Sequence, residues 1–104
     1  MNKLKLKPDA TFKHTVMIPV AGSQDGAAVE FDFKHRGAEE MKAFWEGLDD
    51  KQNIDVVMDI ALGWDLQEPF NRENVLIMLD NYPMSGAVVI AAYQDEIFKA
   101  RVGN

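Results

Sequence analysis

Two stretches near the start of the chain alternate between apolar and polar residues, and they constrain the fold more than any other feature. In "TFKHTVMIPV" (11–20), one face carries Phe12, His14, Val16, Ile18 and Val20. In "AVEFDFKHR" (28–36), one face carries Val29, Phe31, Phe33 and His35. A period of two residues places alternate side chains on one face of a β-strand. Because "AGSQDGA" (21–27) between them has the composition of a turn, the sequence predicts an antiparallel β-hairpin over residues 10–36.

The register of this hairpin is predicted from its loop. If residues 23–26 form a four-residue loop, the facing pairs are Val20 with Val29, Ile18 with Phe31, Val16 with Phe33, and His14 with His35. Each apolar residue then has an apolar partner, and a slip of one residue would move every side chain to the opposite face. In this register Pro19 lies on the outer edge, where a missing N–H is tolerated.

Four helices are predicted after the hairpin, because apolar residues recur there at spacings of three and four. The first, "AEEMKAFWEGLD" (38–49), aligns Met41, Phe44, Trp45 and Leu48. The second, "DKQNIDVVMDIALG" (50–63), aligns Ile54, Val57, Met58 and Ala61, with Asp50 as N-cap and Gly63 as its end. The third begins at Asn71, aligns Val75, Leu76, Leu79 and Tyr82, and ends before Pro83. The fourth covers roughly 85–101 and carries Ile90, Tyr93, Ile97 and Phe98.

This order predicts an α+β fold, in which an N-terminal antiparallel β-hairpin is followed by about four α-helices packed as a small bundle. We expect a single domain over residues 1–104, with a flexible lead-in (1–9), the hairpin (10–36) and a helical region (38–101). The joint "GWDLQEPFNREN" (63–74) is rich in aromatic and amide side chains. We interpret it as a packed elbow, with Trp64 and Phe70 filling the corner, rather than as an active loop.

Composition excludes several classes of function. The chain has no cysteine, which excludes disulfides and thiolate metal sites. Its net charge of −6 argues against binding to nucleic acid, because phosphate backbones repel an acidic surface. The three early lysines precede no apolar run, so no signal peptide is predicted. The longest apolar run (86–93) is far shorter than the about 20 residues that span a bilayer. We therefore expect a soluble cytoplasmic protein with no membrane partner.

Residues with catalytic or ligand-binding chemistry are few. His14 and His35, facing each other, could share a metal, but two ligands do not make a zinc site. We interpret them as polar ends of the apolar face. The only serines, Ser23 and Ser85, lack a nucleophile motif, and the glycines around residue 24 match no phosphate-binding loop. The sequence therefore predicts no catalytic residue, no cofactor and no metal.

Three apolar residues fall on otherwise polar helix faces: Val56 in the second helix, Ile77 in the third and Val88 in the fourth. Single exposed apolar residues are ordinary, but three on successive helices indicate a partner-binding surface. Six methionines fit a surface that repacks around different partners, although the same residues also serve as core filler. Val56, Ile77 and Val88 are therefore the candidate contacts for a client or for self-association.

Residues 63–104 carry a series of features whose order and spacing are distinctive: Gly63-Trp64, Pro69-Phe70, the helix beginning near Asn71, the Tyr82-Pro83 break, the small-residue run 86–92, Tyr93, and the ending "KARVGN". In these features the second half of the chain resembles the tail assembly chaperones of long-tailed, siphovirus-type phages and prophages. The hairpin and the first helix agree with that family only in general character.

This resemblance implies a non-enzymatic protein that binds the phage tape-measure protein, a long helical chain with hydrophobic segments. It implies that the protein keeps this client soluble while tail-tube subunits polymerise, acts in the cytoplasm of the bacterial host, and is absent from the mature virion. Many members occur in two forms, the longer made by a ribosomal frameshift. The tail-tube protein, a longer form of the chain itself and a homo-oligomer are therefore further expected partners.

Other classes of protein remain open at this point. The chain could be a minor virion structural protein, such as a tail or head–tail joining subunit, whose hairpin augments the sheet of a neighbour. Proteomics of purified particles separates the two, since a chaperone is missing from them. An acidic mimic of DNA needs acids along one continuous surface, whereas here they are mixed with eleven basic residues. A small enzyme is the least supported class.

Overall fold

The computed structural model describes residues 3–98, and its elements follow the predicted order with one addition. The hairpin is formed by β1 (Thr11–Ile18) and β2 (Ala27–Lys34). Then come α1 (Ala38–Gly47), a short 3-10 turn (Leu48–Asp50), α2 (Asn53–Ile60), a third strand β3 (Ala61–Trp64), α3 (Arg72–Asn81) and α4 (Ser85–Phe98). The predicted α+β fold is confirmed. The expected end of the fourth helix, 99–101, lies outside the described residues.

The predicted hairpin register is wrong by four residues. The facing pairs are Val16 with Val29, His14 with Phe31, Phe12 with Phe33, and Ile18 with Ala27. A shift by an even number keeps every side chain on its predicted face, so the alternation could not discriminate between the two registers. Residues 19–26 form a longer loop that leaves Pro19 and Val20 outside the strands. Gly26 closes it at φ +73°, where an added Cβ would lie 2.4 Å from the Ile18 carbonyl oxygen.

The third strand replaces the predicted end of the second helix. α2 stops at Ile60, and Gly63, expected as a helix terminus, pairs with Asp32 in an antiparallel ladder between β3 and β2. Asp65 extends this attachment: its N–H donates to the Glu30 carbonyl oxygen at 3.0 Å, and its carboxylate accepts from the Glu30 N–H at 3.0 Å. The sheet order is therefore β1-β2-β3, with β2 in the centre.

Helix termini agree with prediction at one place and differ at another. Asn71 caps α3 as expected, because its side chain accepts from the Asn74 N–H at 2.8 Å. The helix ends at Asn81, just before the predicted break at Tyr82-Pro83. Asp50, expected to cap α2, instead closes the 3-10 turn, and the N-cap position belongs to Gln52.

The core lies between one face of the sheet and the helices. Its members, all at most 9 % exposed, are Val16, Ile18, Val29, Phe31, Phe33, Met41, Phe44, Ile54, Val56, Val57, Ile60, Ala61, Val75, Met78, Val89, Ile90 and Tyr93. Three residues of the predicted helix stripes are exposed, and Tyr82 is one of them at 39 %. Trp45 is 41 % exposed and stacks on Phe98 with ring centroids 4.7 Å apart, and Leu76 is 44 % exposed while Met78 is buried in its place.

Helices α3 and α4 meet at 110°. Within residues 3–98, no single helix is long and apolar enough to cross a membrane. Taken together, α3 and α4 reach the necessary length and apolar composition, but only as this bent pair.

Candidate docking groove

The three residues predicted to bind a partner have three different environments. Val56 is only 1 % exposed, so the expectation that it lies on a free surface is wrong. Val88 is partly buried and packs against the core. Ile77 is 51 % exposed, as the sequence predicted. The structure therefore does not bring the three together, and only Ile77 offers an open apolar side chain.

Val56 is buried because α2 has neighbours on more than one side. α2 packs against α4 and α3, and its chain continues directly into β3. Apolar residues at Ile54, Val56, Val57 and Ile60 are therefore all buried, although only part of this set forms a single helical stripe. Val56 lies at the floor of a shallow depression between α2 and α4, lined also by Leu48, Ala87 and Ile90.

Ile77 lines a groove of about 370 Å³ between α3 and the linker that precedes it. Below, "the groove" means the depression lined by Trp64, Leu66, Glu68, Asn74, Ile77, Met78, Asn81 and Tyr82. Its apolar side chains are partly open to solvent: Ile77 is 51 % exposed, Leu66 40 % and Tyr82 39 %. Met78, at 7 %, joins the groove to the core. An apolar groove with a few polar groups at its edge suits an extended or helical peptide segment.

The linker wall of the groove is held in place by hydrogen bonds and aromatic packing. The Trp64 indole N–H donates to the Glu68 carbonyl oxygen at 2.7 Å, and Asn74 Nδ2 donates to the Pro69 carbonyl oxygen at 2.8 Å. The rings of Trp64 and Phe70 meet edge to face, with centroids 5.1 Å apart. The predicted packed elbow is therefore present at Trp64 and Phe70, and the same linker also forms one side of the groove.

Three acidic side chains lie in the groove or next to it on α3. Glu68 lines it directly. Glu73 and Asp80 lie four residues before and three residues after Ile77 on α3, so they flank it on the helix surface. Among residues 3–98, neither these three carboxylates nor Asp65 takes part in a salt bridge. The nearby Arg72 is paired with Asp55 of α2 at 2.8 Å. The rim of the groove therefore carries negative charge.

The two histidines do not face each other as predicted. His14 pairs with Phe31 across the hairpin, and its Nδ1 lies 3.4 Å from Glu96 Oε1 on α4. His35 lines a separate depression of about 310 Å³ with Phe12, Glu96 and other residues. Within the described part of the chain, no three His, Cys, Asp or Glu side chains are placed to hold a metal ion.

Apart from the groove, a cluster of polar side chains and one phenylalanine ring lies under the sheet. Below, "the junction" means this cluster of Arg36, Phe44, Asp59 and Tyr93. Arg36 donates to Asp59 Oδ2 at 2.8 Å and to the Tyr93 hydroxyl at 3.0 Å, and its guanidinium lies 4.9 Å from the centroid of the Phe44 ring. The Tyr93 hydroxyl donates in turn to the Lys34 carbonyl oxygen at 2.8 Å. These bonds connect the end of β2 to α2 and α4.

Burial raises the pKa of the Tyr93 hydroxyl above its ordinary value, and the hydrogen bond from Arg36 opposes this shift only in part. On the outer face of the sheet, the hydrogen bond to Asp32 raises the pKa of Lys13. The polar groups of the junction bond to one another and so hold the end of β2, α2 and α4 together. The groove, which exposes apolar side chains, is the candidate functional site.

Comparison with known proteins places the chain in a family. The model of a family described as phage tail assembly chaperone matches residues 1–104. The chain belongs to the phage tail assembly chaperone family. The family match includes the hairpin and the first helix, where the sequence resemblance was only general. No curated protein and no solved structure matches the chain.

For this family member, sequence reasoning found Ile77 but missed most of the groove. The sequence predicts Trp64 as an elbow residue and Tyr82 as part of the apolar stripe of the third helix. It assigns no role to Leu66, because a linker has no periodicity that separates inward from outward side chains. The available signal was the composition of residues 63–74, in which two aromatic residues accompany charged and amide side chains.

Proposed function

We propose that this tail assembly chaperone binds the tape-measure protein and keeps it soluble while the tail tube assembles, without catalysing a reaction. The single observation that supports this most directly is the groove, which exposes Leu66, Ile77 and Tyr82 beside core residue Met78. An exposed apolar groove on a monomer is typical of a docking site.

The chemistry of the groove fits an amphipathic client segment. Apolar residues spaced at i, i+3, i+4 and i+7 on a client helix would cover Ile77 and Leu66 and so leave water. The net charge of −6 on the chaperone opposes its own aggregation, since like-charged particles repel each other. Release requires only that tail-tube subunits compete for the same client segments. We propose that this occurs in the host cytoplasm and that the chaperone is absent from the finished virion.

The test is co-expression of the tape-measure protein with a Leu66→Lys/Ile77→Lys variant. We expect the client to move to the insoluble fraction, because two charges in the groove oppose apolar docking. The matched control is Met17→Lys/Leu76→Lys, which adds the same charge at side chains that are 48 % and 44 % exposed and do not line the groove. If the client stays as soluble with the groove variant as with the control, the groove is not the client site.

A second measurement separates the chaperone from a virion component. Mass spectrometry of purified particles should detect the tail-tube protein and the tape-measure protein but not this chain. Its presence at stoichiometric levels would favour the minor tail or joining subunit instead. The same samples, compared with infected-cell extracts, would show whether a longer frameshifted form accompanies the chain.

A further inference from the structure

A short basic and apolar segment precedes the hairpin. Below, "the arm" means residues 3–7, "KLKLK", in which Lys3, Lys5 and Lys7 alternate with Leu4 and Leu6. Leu4 is 90 % exposed and Leu6 is 95 % exposed, the highest values among the large apolar side chains of residues 3–98. Such side chains gain free energy by leaving water, so a contact for them is favourable wherever one is available.

The arm and the groove have opposite charge. The arm carries three lysines and no acid. Residues 61–84, which contain the groove, carry four acids (Asp65, Glu68, Glu73, Asp80), no lysine and one arginine. That arginine, Arg72, is paired with Asp55. The basic arm therefore matches the acidic rim of the groove in charge, and the groove also exposes apolar side chains.

From this complementarity, we propose that the arm of one copy docks in the groove of a second copy. In an extended arm, Leu4 and Leu6 lie on the same side, about 7 Å apart, and can both contact the apolar floor around Ile77. The lysines lie on the other side, and their long stems allow the ammonium groups to reach the carboxylates of the rim. The salt bridge of Lys5 with Asp9 lies in solvent, with side chains 67 % and 76 % exposed, and is easily exchanged.

The position of the arm favours a second copy over its own groove. The arm leads into β1, which forms one edge of the sheet, whereas the groove begins at Trp64 in β3, which forms the other edge. An arm that docks in another copy leaves that copy's own arm free. The contact is therefore head-to-tail, and it builds chains or rings rather than a closed two-fold dimer. Its area is small, so we expect micromolar or weaker affinity.

This inference goes beyond the proposed function, since it concerns the purified protein without any client. Client binding and self-association can therefore be refuted independently of each other. Leu4→Ser/Leu6→Ser alters only the arm, so it should weaken self-association while the tape-measure protein stays soluble. Failure of the client experiment, in contrast, would leave the self-association of the purified chain untouched.

The experiment is sedimentation velocity of the full chain from roughly 10 µM to 1 mM. The wild type should show an average mass that rises with concentration and falls with added salt, because the rim contact is electrostatic. Leu4→Ser/Leu6→Ser and Leu66→Lys/Ile77→Lys should each weaken association by roughly tenfold or more. Met17→Lys/Leu76→Lys should associate as the wild type does.

Mixing the two defective variants gives the sharpest test. The arm variant retains an intact groove, and the groove variant retains an intact arm, so one productive contact exists between them. The mixture should therefore form a dimer that neither variant forms alone, and it should not grow further. A wild type that is monomeric at all concentrations, which is also the result if the arm occupies its own groove, would overturn the proposal. So would a mixture that fails to dimerise.

Discussion

The junction and the groove use similar side chains in opposite ways. In the junction, Tyr93 is fully buried, and its hydroxyl both accepts a bond from Arg36 and donates one to the Lys34 carbonyl oxygen. In the groove, Tyr82 is 39 % exposed beside acids without described ion pairs. Buried and paired groups stabilise a fold, whereas exposed apolar groups contribute little to it. The comparison indicates that stability is concentrated in the junction and that binding belongs to the groove.

The largest expected effect is the difference in stability loss between alanine substitutions at Tyr93 and at Tyr82. Tyr93→Ala should lower the free energy of unfolding by about 3–5 kcal/mol, because it removes a buried ring that contacts Phe12, Phe33 and Phe44. Tyr82→Ala should cost less than about 1 kcal/mol. Urea unfolding followed by circular dichroism measures both. Similar losses of unfolding free energy at the two positions would contradict the view that stability is concentrated in the junction and not in the groove.

The next largest expected effect is the difference in stability loss between substitutions at two arginines whose ion pairs have equal lengths. Arg36 and Arg72 each lie 2.8 Å from an aspartate, but the Arg36 side chain is 14 % exposed and the Arg72 side chain 57 %. Arg36→Met should cost about 1–3 kcal/mol, because the Tyr93 hydroxyl and Asp59 lose a donor under the sheet. Arg72→Met should cost less than about 1 kcal/mol, as exposed ion pairs do. Equal costs in urea unfolding would show that burial is not the deciding factor.

A third effect is the alkaline limit of stability. Because burial raises the pKa of Tyr93, the folded state keeps its hydroxyl proton at a pH where the unfolded state loses it. This contribution is complete below the unfolded pKa of about 10 and is lost as pH rises through the folded pKa. The free energy of unfolding should fall above pH 10 by at most about 1.4 kcal/mol per pH unit from this group. In the Tyr93→Phe variant, this part of the fall in unfolding free energy above pH 10 should vanish. If the fall persists unchanged, it comes from another group.

The sequence predicted the well-patterned parts of the molecule and missed what depends on tertiary partners. The hairpin faces and the N-cap at Asn71 follow from local rules, and the structure agrees. The sequence predicts residues 61–64 as the end of a helix, because Ala61 continues an apolar stripe. Only the open edge of β2 makes the extended form favourable there.

The candidate site shows the same limit. The sequence predicts an exposed Ile77, because a single apolar residue is conspicuous on a polar helix face, and the structure agrees. The same rule predicts an exposed Val56, and it fails there because α2 contacts neighbours on several sides. Leu66 carries no periodic signal, since it lies in the linker. Tyr82 continues the apolar stripe predicted for the third helix, but it is the C-cap of α3 and is 39 % exposed.

The fourth prediction concerns the wall of the groove. Asn74→Ala removes the bond to the Pro69 carbonyl oxygen and should cost about 0.5–1.5 kcal/mol. Amide hydrogen exchange in residues 65–70 should become faster, because this linker loses one of its anchors. Asn81→Ala is the control, since Asn81 also lines the groove but makes no described side-chain bond to the linker. Unchanged exchange in Asn74→Ala would mean that the Trp64 contacts alone hold the wall.

The smallest expected change in stability is in the groove itself. Leu66→Lys/Ile77→Lys should alter the free energy of unfolding by less than about 0.5 kcal/mol per site, because both side chains are already 40 % or more exposed and a lysine can extend into solvent. Self-association and client solubility should nevertheless be lost. Such a variant separates folding from binding in a way that no junction variant can. Losing both functions without losing stability would place them in the groove, whereas a large loss of stability would show that these side chains support the core through Met78.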